Sequence, residues 1–214
     1  MAPGDSVIDP VRASFDRIAE QYAADFADEL TRKPWDAERL RRFAASCGPG
    51  PVLDVGCGAA GHIGRFVADL GLTPVVGVDF SERSVLHASR VSPTLRFVAG
   101  DVRELPVADR ACAGVLAFYS LIYGNDMTIA VALSELRRVI RDGGRLLVAV
   151  HAGIGAQRFT DYKGAPVDVE LYHRQPAAFA AQVRRAGFIV ESIETRPPYA
   201  FEHATERLYL AARA

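Results

Sequence analysis

Long apolar runs are missing from this sequence: no stretch is long enough to span a bilayer. Charge imbalance is missing too. The formal net charge of −1 leaves no footprint for nucleic acid or an anionic membrane. The arginine pairs Arg41-Arg42, Arg137-Arg138 and Arg184-Arg185 fall in predicted helices and read as solvated faces. Cysteine is scarce. Cys47, Cys57 and Cys112 leave at least one unpaired, and none has zinc-ligand spacing, so no metal site is expected. Free thiols point to a reduced, cytoplasmic compartment. The opening Met1-Ala2-Pro3-Gly4-Asp5 is polar and unpatterned, with no signal peptide to be read there. Repeats and low-complexity segments are absent. What remains, 214 residues of which 50% are hydrophobic and 24% charged, suits one globular domain with a sizeable core.

The most informative stretch is Pro51-Val52-Leu53-Asp54-Val55-Gly56-Cys57-Gly58-Ala59-Ala60-Gly61-His62. Val52 to Val55 reads as a buried strand, and Ile63, Phe66, Val67 and Leu70 as one face of a helix. Strand, glycine turn and helix form a nucleotide-binding unit, with the backbone free to approach a ligand and the helix N-terminus offering N–H groups. Gly56-x-Gly58-x-x-Gly61 matches the dinucleotide fingerprint, which alone is a weak signal. Asp54 favours a different ligand. A carboxylate ending this strand repels a pyrophosphate but tolerates the ammonium and sulfonium of S-adenosylmethionine. A ligand-free turn is the bland reading, and it leaves a charged residue on a buried strand without a purpose.

In chain order, residues 1 to about 10 read as disordered. Phe15, Ile18, Ala19, Tyr22, Ala23, Phe26 and Leu30 share one helix face, with Ser14 as N-cap. This helix must pack on the outside or cover the pocket, and the second is expected, with Tyr22 facing the donor. A second helix runs from Asp36 to Ser46. Strands follow at Val75–Val78, Leu95–Val98, Gly114–Phe118 and Leu146–Val150, with intervening helices, one capped by Ser81 and one by Asp126. Strands alternating with helices imply a parallel, doubly wound sheet. Residues 152–175 show no period and read as an irregular, functional insertion. A helix starts at Pro176, and two last strands, Phe188–Ile193 and Leu208–Ala211, have no helix between them and read as antiparallel.

Two more acids end strands. Asp79, at the end of the second strand, suits both hydroxyls of a nucleoside ribose, for NAD as for S-adenosylmethionine. Asp101, in Gly100-Asp101-Val102, is placed to accept an adenine amino N–H. Alternatively, Asp79 caps the next helix and Asp101 belongs to an ordinary turn.

With these motifs, and with Leu136-Arg137-Arg138-Val139-Ile140-Arg141-Asp142-Gly143-Gly144-Arg145-Leu146 as the helix, turn and fifth strand, the chain resembles the class I S-adenosylmethionine-dependent methyltransferases from about Phe15 to Arg213. The resemblance implies an α/β, Rossmann-like, seven-stranded sheet with an antiparallel last strand. It implies one domain: an N-terminal helical cap (1–48), a nucleotide-binding core (49–150), and a substrate-side insertion with the last strands (151–214). It implies donor contacts from Tyr22, Asp54, Gly56, Cys57, Gly58, Asp79, Phe80, Ser81, Asp101, Val102 and Phe118. Two departures stand out. Ala60 replaces a usual glycine, and Phe118-Tyr119-Ser120-Leu121 stands where nucleobase-amine methylating members carry an Asn- or Asp-Pro-Pro-Tyr motif.

The expected activity is methyl transfer to an oxygen or nitrogen of a small, aromatic or otherwise apolar metabolite, by a monomer or homodimer. Alternatives are an NAD(P)-binding oxidoreductase and a non-catalytic S-adenosylmethionine-binding protein. Candidate bases lie at strand ends. His151 follows the fifth strand, Tyr119 and Tyr123 the fourth, and Tyr172 and His173 sit in the insertion; a histidine titrates in the useful range.

Overall fold

The computed structural model describes residues 5 to 214. Five parallel strands form its centre: β1 (Val52–Val55), β2 (Val75–Asp79), β3 (Arg96–Ala99), β4 (Cys112–Phe118) and β5 (Ile140–His151). Two more strands come last in the sheet, β8 (Ile189–Arg196) and β9 (Arg207–Arg213), the latter antiparallel to both β5 and β8. The order β3-β2-β1-β4-β5-β9-β8 is the seven-stranded sheet expected, with its antiparallel last strand.

Alternation within the strands builds two apolar layers. Along β4, Val115 and Ala117 face one side and Leu116 and Phe118 the other; β9 does the same with Leu208 and Leu210 against Tyr209. The first side packs on α6 (Asp126–Val139) and α7 (Pro176–Arg185) through Leu133, Leu136, Phe179 and Val183. The second packs on α3 (Pro34–Ser46) and α4 (His62–Asp69) through Leu40, Phe43, Ile63 and Val67. Leu116, Leu133 and Leu136 are fully buried, so truncating any of them to alanine costs about 2–5 kcal/mol.

Helix α5 (Glu82–Val91) is capped by Ser81, whose oxygen accepts from the Ser84 amide at 3.0 Å. On α6 the cap is Asn125, not Asp126: the Asn125 side chain accepts from the Thr128 amide at 3.0 Å and Asp126 is the first helical residue. The turn Asp142-Gly143-Gly144 does not precede the fifth strand but lies within β5, where its pairing with β4 shifts register.

The N-terminal helix differs from expectation at both ends. α1 spans Asp5–Phe26, so residues 5–10 are helical, while residues 1–4 lie outside the described residues. Ser14 is no cap; its hydroxyl donates to the Pro10 carbonyl at 2.7 Å. That back-bond is a common use of a serine inside a helix. Burial of Val11 and Ile18 against Val167 and Val169 carries the helix through Pro10. It ends before Leu30, which belongs to a separate turn of helix, α2 (Glu29–Arg32).

Nor is the 152–175 segment irregular. It forms a two-stranded antiparallel sheet, β6 (Ala156–Tyr162) and β7 (Ala165–Tyr172), turned at Lys163-Gly164. β6 is mostly exposed and has no apolar run to betray it, whereas β7 alternates with Val167, Val169 and Leu171 inward. This hairpin lies against α1. The Ser14 hydroxyl accepts from the Asp168 amide at 2.8 Å, Arg17 donates to the Pro166 carbonyl at 2.6 Å, and the Tyr162 hydroxyl donates to Asp25 at 2.6 Å. Two segments remote from each other in the chain therefore form one roof over the carboxyl edge of the sheet.

Candidate active site

Under that roof lies a cavity of about 690 Å³. That size is within the range of small-molecule sites. Its floor is the carboxyl ends of the parallel strands, where open α/β sheets place their ligands.

At the β1–β3 end the polar groups belong to the backbone and to two acids. Gly56 and Gly58 turn the chain out of β1 with φ of +72° and +61°. A Cβ on Gly56 would stand 2.2 Å from that of Ser120, whereas one on Gly58 would meet no atom within 4 Å. The space over Gly58 is thus a cradle a side chain would fill. Asp79 is buried beneath it, one oxygen accepting from the Gly58 amide and the other from the Ser81 amide, both at 2.9 Å. Burial pushes the Asp79 carboxyl up to about 6 against the pull of those two amides, and Asp16 adds to the rise. Asp101, at the end of β3, is held below the usual carboxylate range: burial opposes this, and the Arg103 guanidinium at 2.6 Å outweighs it. Phe80, Val102, Cys57 and Tyr22 complete the wall, with Tyr22 edge-on to Phe15 at 5.4 Å.

At the β4–β5 end the polar groups are side chains. Tyr119 holds a left-handed backbone with φ of +57°. That is a strained state for a bulky residue, of a kind that clusters at functional sites. A buried network fixes it. The Tyr119 hydroxyl lies 3.0 Å from Asp36 and 2.9 Å from the Tyr209 hydroxyl, and Arg196 bridges Asp36 at 2.7 Å and Glu202 at 2.6 Å. Burial pushes the Tyr119 phenol well up, with Tyr209 and Asp36 adding to it. Glu202 is dragged down to about 2: burial opposes, but Arg196, the Tyr199 amide, Lys33 and Arg207 prevail. Lys33 also pairs with Glu29 at 2.6 Å, and Glu29 reaches the His62 ring at 2.8 Å. His151 sits among these, its Nδ1 2.6 Å from the Thr205 hydroxyl. Burial, then Arg207, His203 and His173, lower its pKa to about 3, so the imidazole is neutral across the physiological range.

Of the residues singled out in the sequence, Tyr22, Gly56, Cys57, Gly58, Asp79, Phe80, Asp101, Val102, Phe118, Tyr119, Tyr123 and His151 line this cavity. Asp54, Ser81 and His173 do not. Asp54 accepts from the Gly64 amide at 2.9 Å and so clamps the first turn of α4 beneath the glycine loop; burial lifts it to about 6. Ser81 is spent on its cap and on Asp16, to which its hydroxyl donates at 2.6 Å. His173 and Tyr172 border a separate depression beside α7. Among the described residues no cluster of three or more His, Cys, Asp or Glu is arranged to hold a metal.

Glu29, Lys33, His62, Glu202, His203 and Arg207 also line the cavity and went unnoticed in the sequence. One signal was there. The connection between β8 and β9, residues 197–206, is much longer than a hairpin needs, and long loops in compact domains are commonly functional.

Known proteins share this architecture. A family model described as a methyltransferase domain matches residues 52–144. The demethylmenaquinone methyltransferase of Renibacterium salmoninarum is 32% identical over 204 residues, covering 87% of this chain and 81% of that protein. A malonyl-acyl-carrier-protein O-methyltransferase of Pseudescherichia vulneris is 32% identical over 134 residues, and there the chain spans only 50% of its relative's length. Among solved structures, the 1,6-didemethyltoxoflavin-N1-methyltransferase of Burkholderia thailandensis, with bound 1,6-didemethyltoxoflavin and S-adenosylhomocysteine, matches 100% of this chain and 91% of its own, at 22% identity and a TM-score of 0.74. DhpI in complex with SAH matches 100% and 98%, at 22% identity and a TM-score of 0.76. Sharing most of its length with a curated methyltransferase, on the sheet and strand-end acids described above, the chain belongs to the class I S-adenosylmethionine-dependent methyltransferases.

Proposed function

We propose that this enzyme methylates an oxygen or nitrogen of a small metabolite held at the β5 end of the cavity. The observation that carries the reading is the single cavity joining Asp79 and Asp101 to His151, roofed by α1 and the β6–β7 hairpin. The residues fit the donor. Asp79 is buried beside the open space over Gly58, where a ribose can donate both hydroxyls, and Asp101 with Val102 lies at the end of β3 for the adenine. S-adenosylmethionine supplies an electrophilic methyl on a sulfonium. The chain's own residues bind, orient and exclude water, and positioning alone supplies a large share of such a rate. Tyr22, Phe15 and Phe26 from α1, with Tyr162 from the hairpin, provide the cover.

The balanced net charge supports a small acceptor over a nucleic acid. Three free cysteines support a reduced, cytoplasmic setting, and no helix of the described residues is long and apolar enough to cross a membrane. The enzyme works as a monomer or homodimer. The test is incubation with methyl-labelled donor and a metabolite extract. A labelled small-molecule product is expected. Tight donor binding with no labelled product from any extract would favour a non-catalytic binding protein.

A further inference from the structure

His151 has one nitrogen on Thr205 and the other without a partner among the described residues. Arg207 Nη1 donates to the Thr205 hydroxyl oxygen at 2.7 Å, and that oxygen lies 2.6 Å from His151 Nδ1. Arg207 has only donors, so it takes one lone pair of the Thr205 oxygen and leaves the hydroxyl proton to be placed. The Thr205 hydroxyl proton has no other acceptor within reach among the described residues, and it goes to Nδ1. The tautomer follows from this network: the lone pair is on Nδ1 and the proton on Nε2. Nε2 has no protein partner among the described residues, and His151 lines the cavity. Donors aligned head to tail polarise one another, so the cationic end at Arg207 strengthens the N–H at the far end.

Resting on the methyltransferase reading, we propose that His151 presents Nε2–H as a fixed hydrogen-bond donor and that the acceptor is an ionised oxygen, a carboxylate or an acidic enol or phenol. His151 then takes no proton. The acceptor oxygen uses its own lone pair to form the new C–O bond while the donor's S–C bond breaks and that pair returns to sulfur. One negative and one positive charge cancel, and no base is required. The groups facing His151 agree with an anion beside it: Arg207, His203 and His173 disfavour a proton on the ring, and Glu202, the one acid among them, is held by Arg196. At the same end of the cavity Arg32 stacks 4.7 Å over Phe201 with no acid partner among the described residues, a free guanidinium for an anionic substrate.

Nitrogen-15 NMR of the histidine-labelled full chain, saturated with S-adenosylhomocysteine, tests the tautomer. The expected spectrum has a protonated, pyrrole-type Nε2 and a pyridine-type Nδ1 at His151, unchanged between about pH 5 and 8. Thr205→Val should move the Nδ1 resonance from its hydrogen-bonded position to that of a free pyridine-type nitrogen, and Thr205→Ser should restore the parent pattern. A proton on Nδ1 in the parent, or titration of His151 in that window, overturns the proposal. The acceptor class is tested on the same loaded protein with 4-nitrophenolate against neutral 4-nitrobenzyl alcohol. The phenolate should bind about tenfold tighter or better, with His151→Gln keeping most of that preference and His151→Ala losing it. Equal binding, or binding of neither probe, overturns the class. A parent protein that does not bind S-adenosylhomocysteine at all fails the underlying reading instead.

Discussion

At the β1–β3 end of the cavity the polar groups are backbone amides and carboxylates at strand ends; at the β4–β5 end they are charged side chains paired to one another. The first end is assembled from three short stretches, 54–58, 79–81 and 100–103, each a strand end followed by its turn. The second draws on α2, α3, β4, β5, β8, β9 and the 197–206 loop. A donor common to a whole family needs only what a strand end supplies. An acceptor peculiar to one enzyme needs side chains brought from remote segments, and their mutual pairing keeps them in place.

The largest expected effect breaks that pairing. Arg196 is buried between Asp36 and Glu202, and Arg196→Met leaves two buried carboxylates without their common partner. Loss of one member of such a pair costs about 3–5 kcal/mol, readable by urea denaturation at pH 7. Glu202 is depressed in the folded state, so its contribution is present above its unfolded pKa and lost as pH falls toward about 2. The gap between variant and parent should therefore narrow from pH 7 toward acid. A constant gap would show that packing, and not charge, holds this end together.

A smaller effect sharpens the other end. Asp79 is raised to about 6 in the unliganded fold, so its ionised form destabilises the free protein as pH climbs from its unfolded value through 6. Ribose hydroxyls donating to it favour that ionised form, and donor binding should release a proton below about pH 6. Affinity for S-adenosylhomocysteine should fall about tenfold from pH 7 to about pH 5, since each pH unit below the shifted pKa is worth about 1.4 kcal/mol. Calorimetry in two buffers of different ionisation enthalpy reads the proton directly.

The smallest effect concerns the roof that spans both ends. Tyr162→Phe removes one partly buried hydroxyl bond to Asp25, while Lys163 still pairs with that carboxylate. A loss below about 1 kcal/mol in stability is expected, with faster donor release in stopped-flow.

This contrast also explains what the sequence revealed. The five parallel strands were legible because each carries a short apolar run, the first three closed by glycine or aspartate, and Gly56, Gly58, Asp79 and Asp101 were legible because they sit on those closures. The β6–β7 hairpin was not, because β6 is mostly exposed and its partner β7 rests on α1, at the far end of the chain. Ser14 looked like a cap because residues 1 to about 10 read as disordered and the apolar period starts at Phe15, yet the packing of Val11 on Val167 and Val169 carries the helix further back. Asp54, Ser81 and His173 have the right residue type and place in the chain, but Asp54 is spent on the Gly64 amide, Ser81 on its helix cap and on Asp16, and His173 borders a separate depression. Lys33, Glu202 and Arg207 carry no local pattern; only tertiary pairing brings them together.

In the proposed function one cavity, lined by both Asp79 and His151, binds the donor at the Asp79 end and the acceptor at the His151 end. A calorimetric titration of S-adenosylhomocysteine into the parent, Asp79→Ala and His151→Ala separates the two ends. Removing Asp79 deletes two charge-assisted hydrogen bonds and should weaken binding about a hundredfold or more, whereas His151→Ala should stay within about threefold of the parent. Equal losses in the two variants, or an unaltered constant in Asp79→Ala, would contradict this division of the cavity.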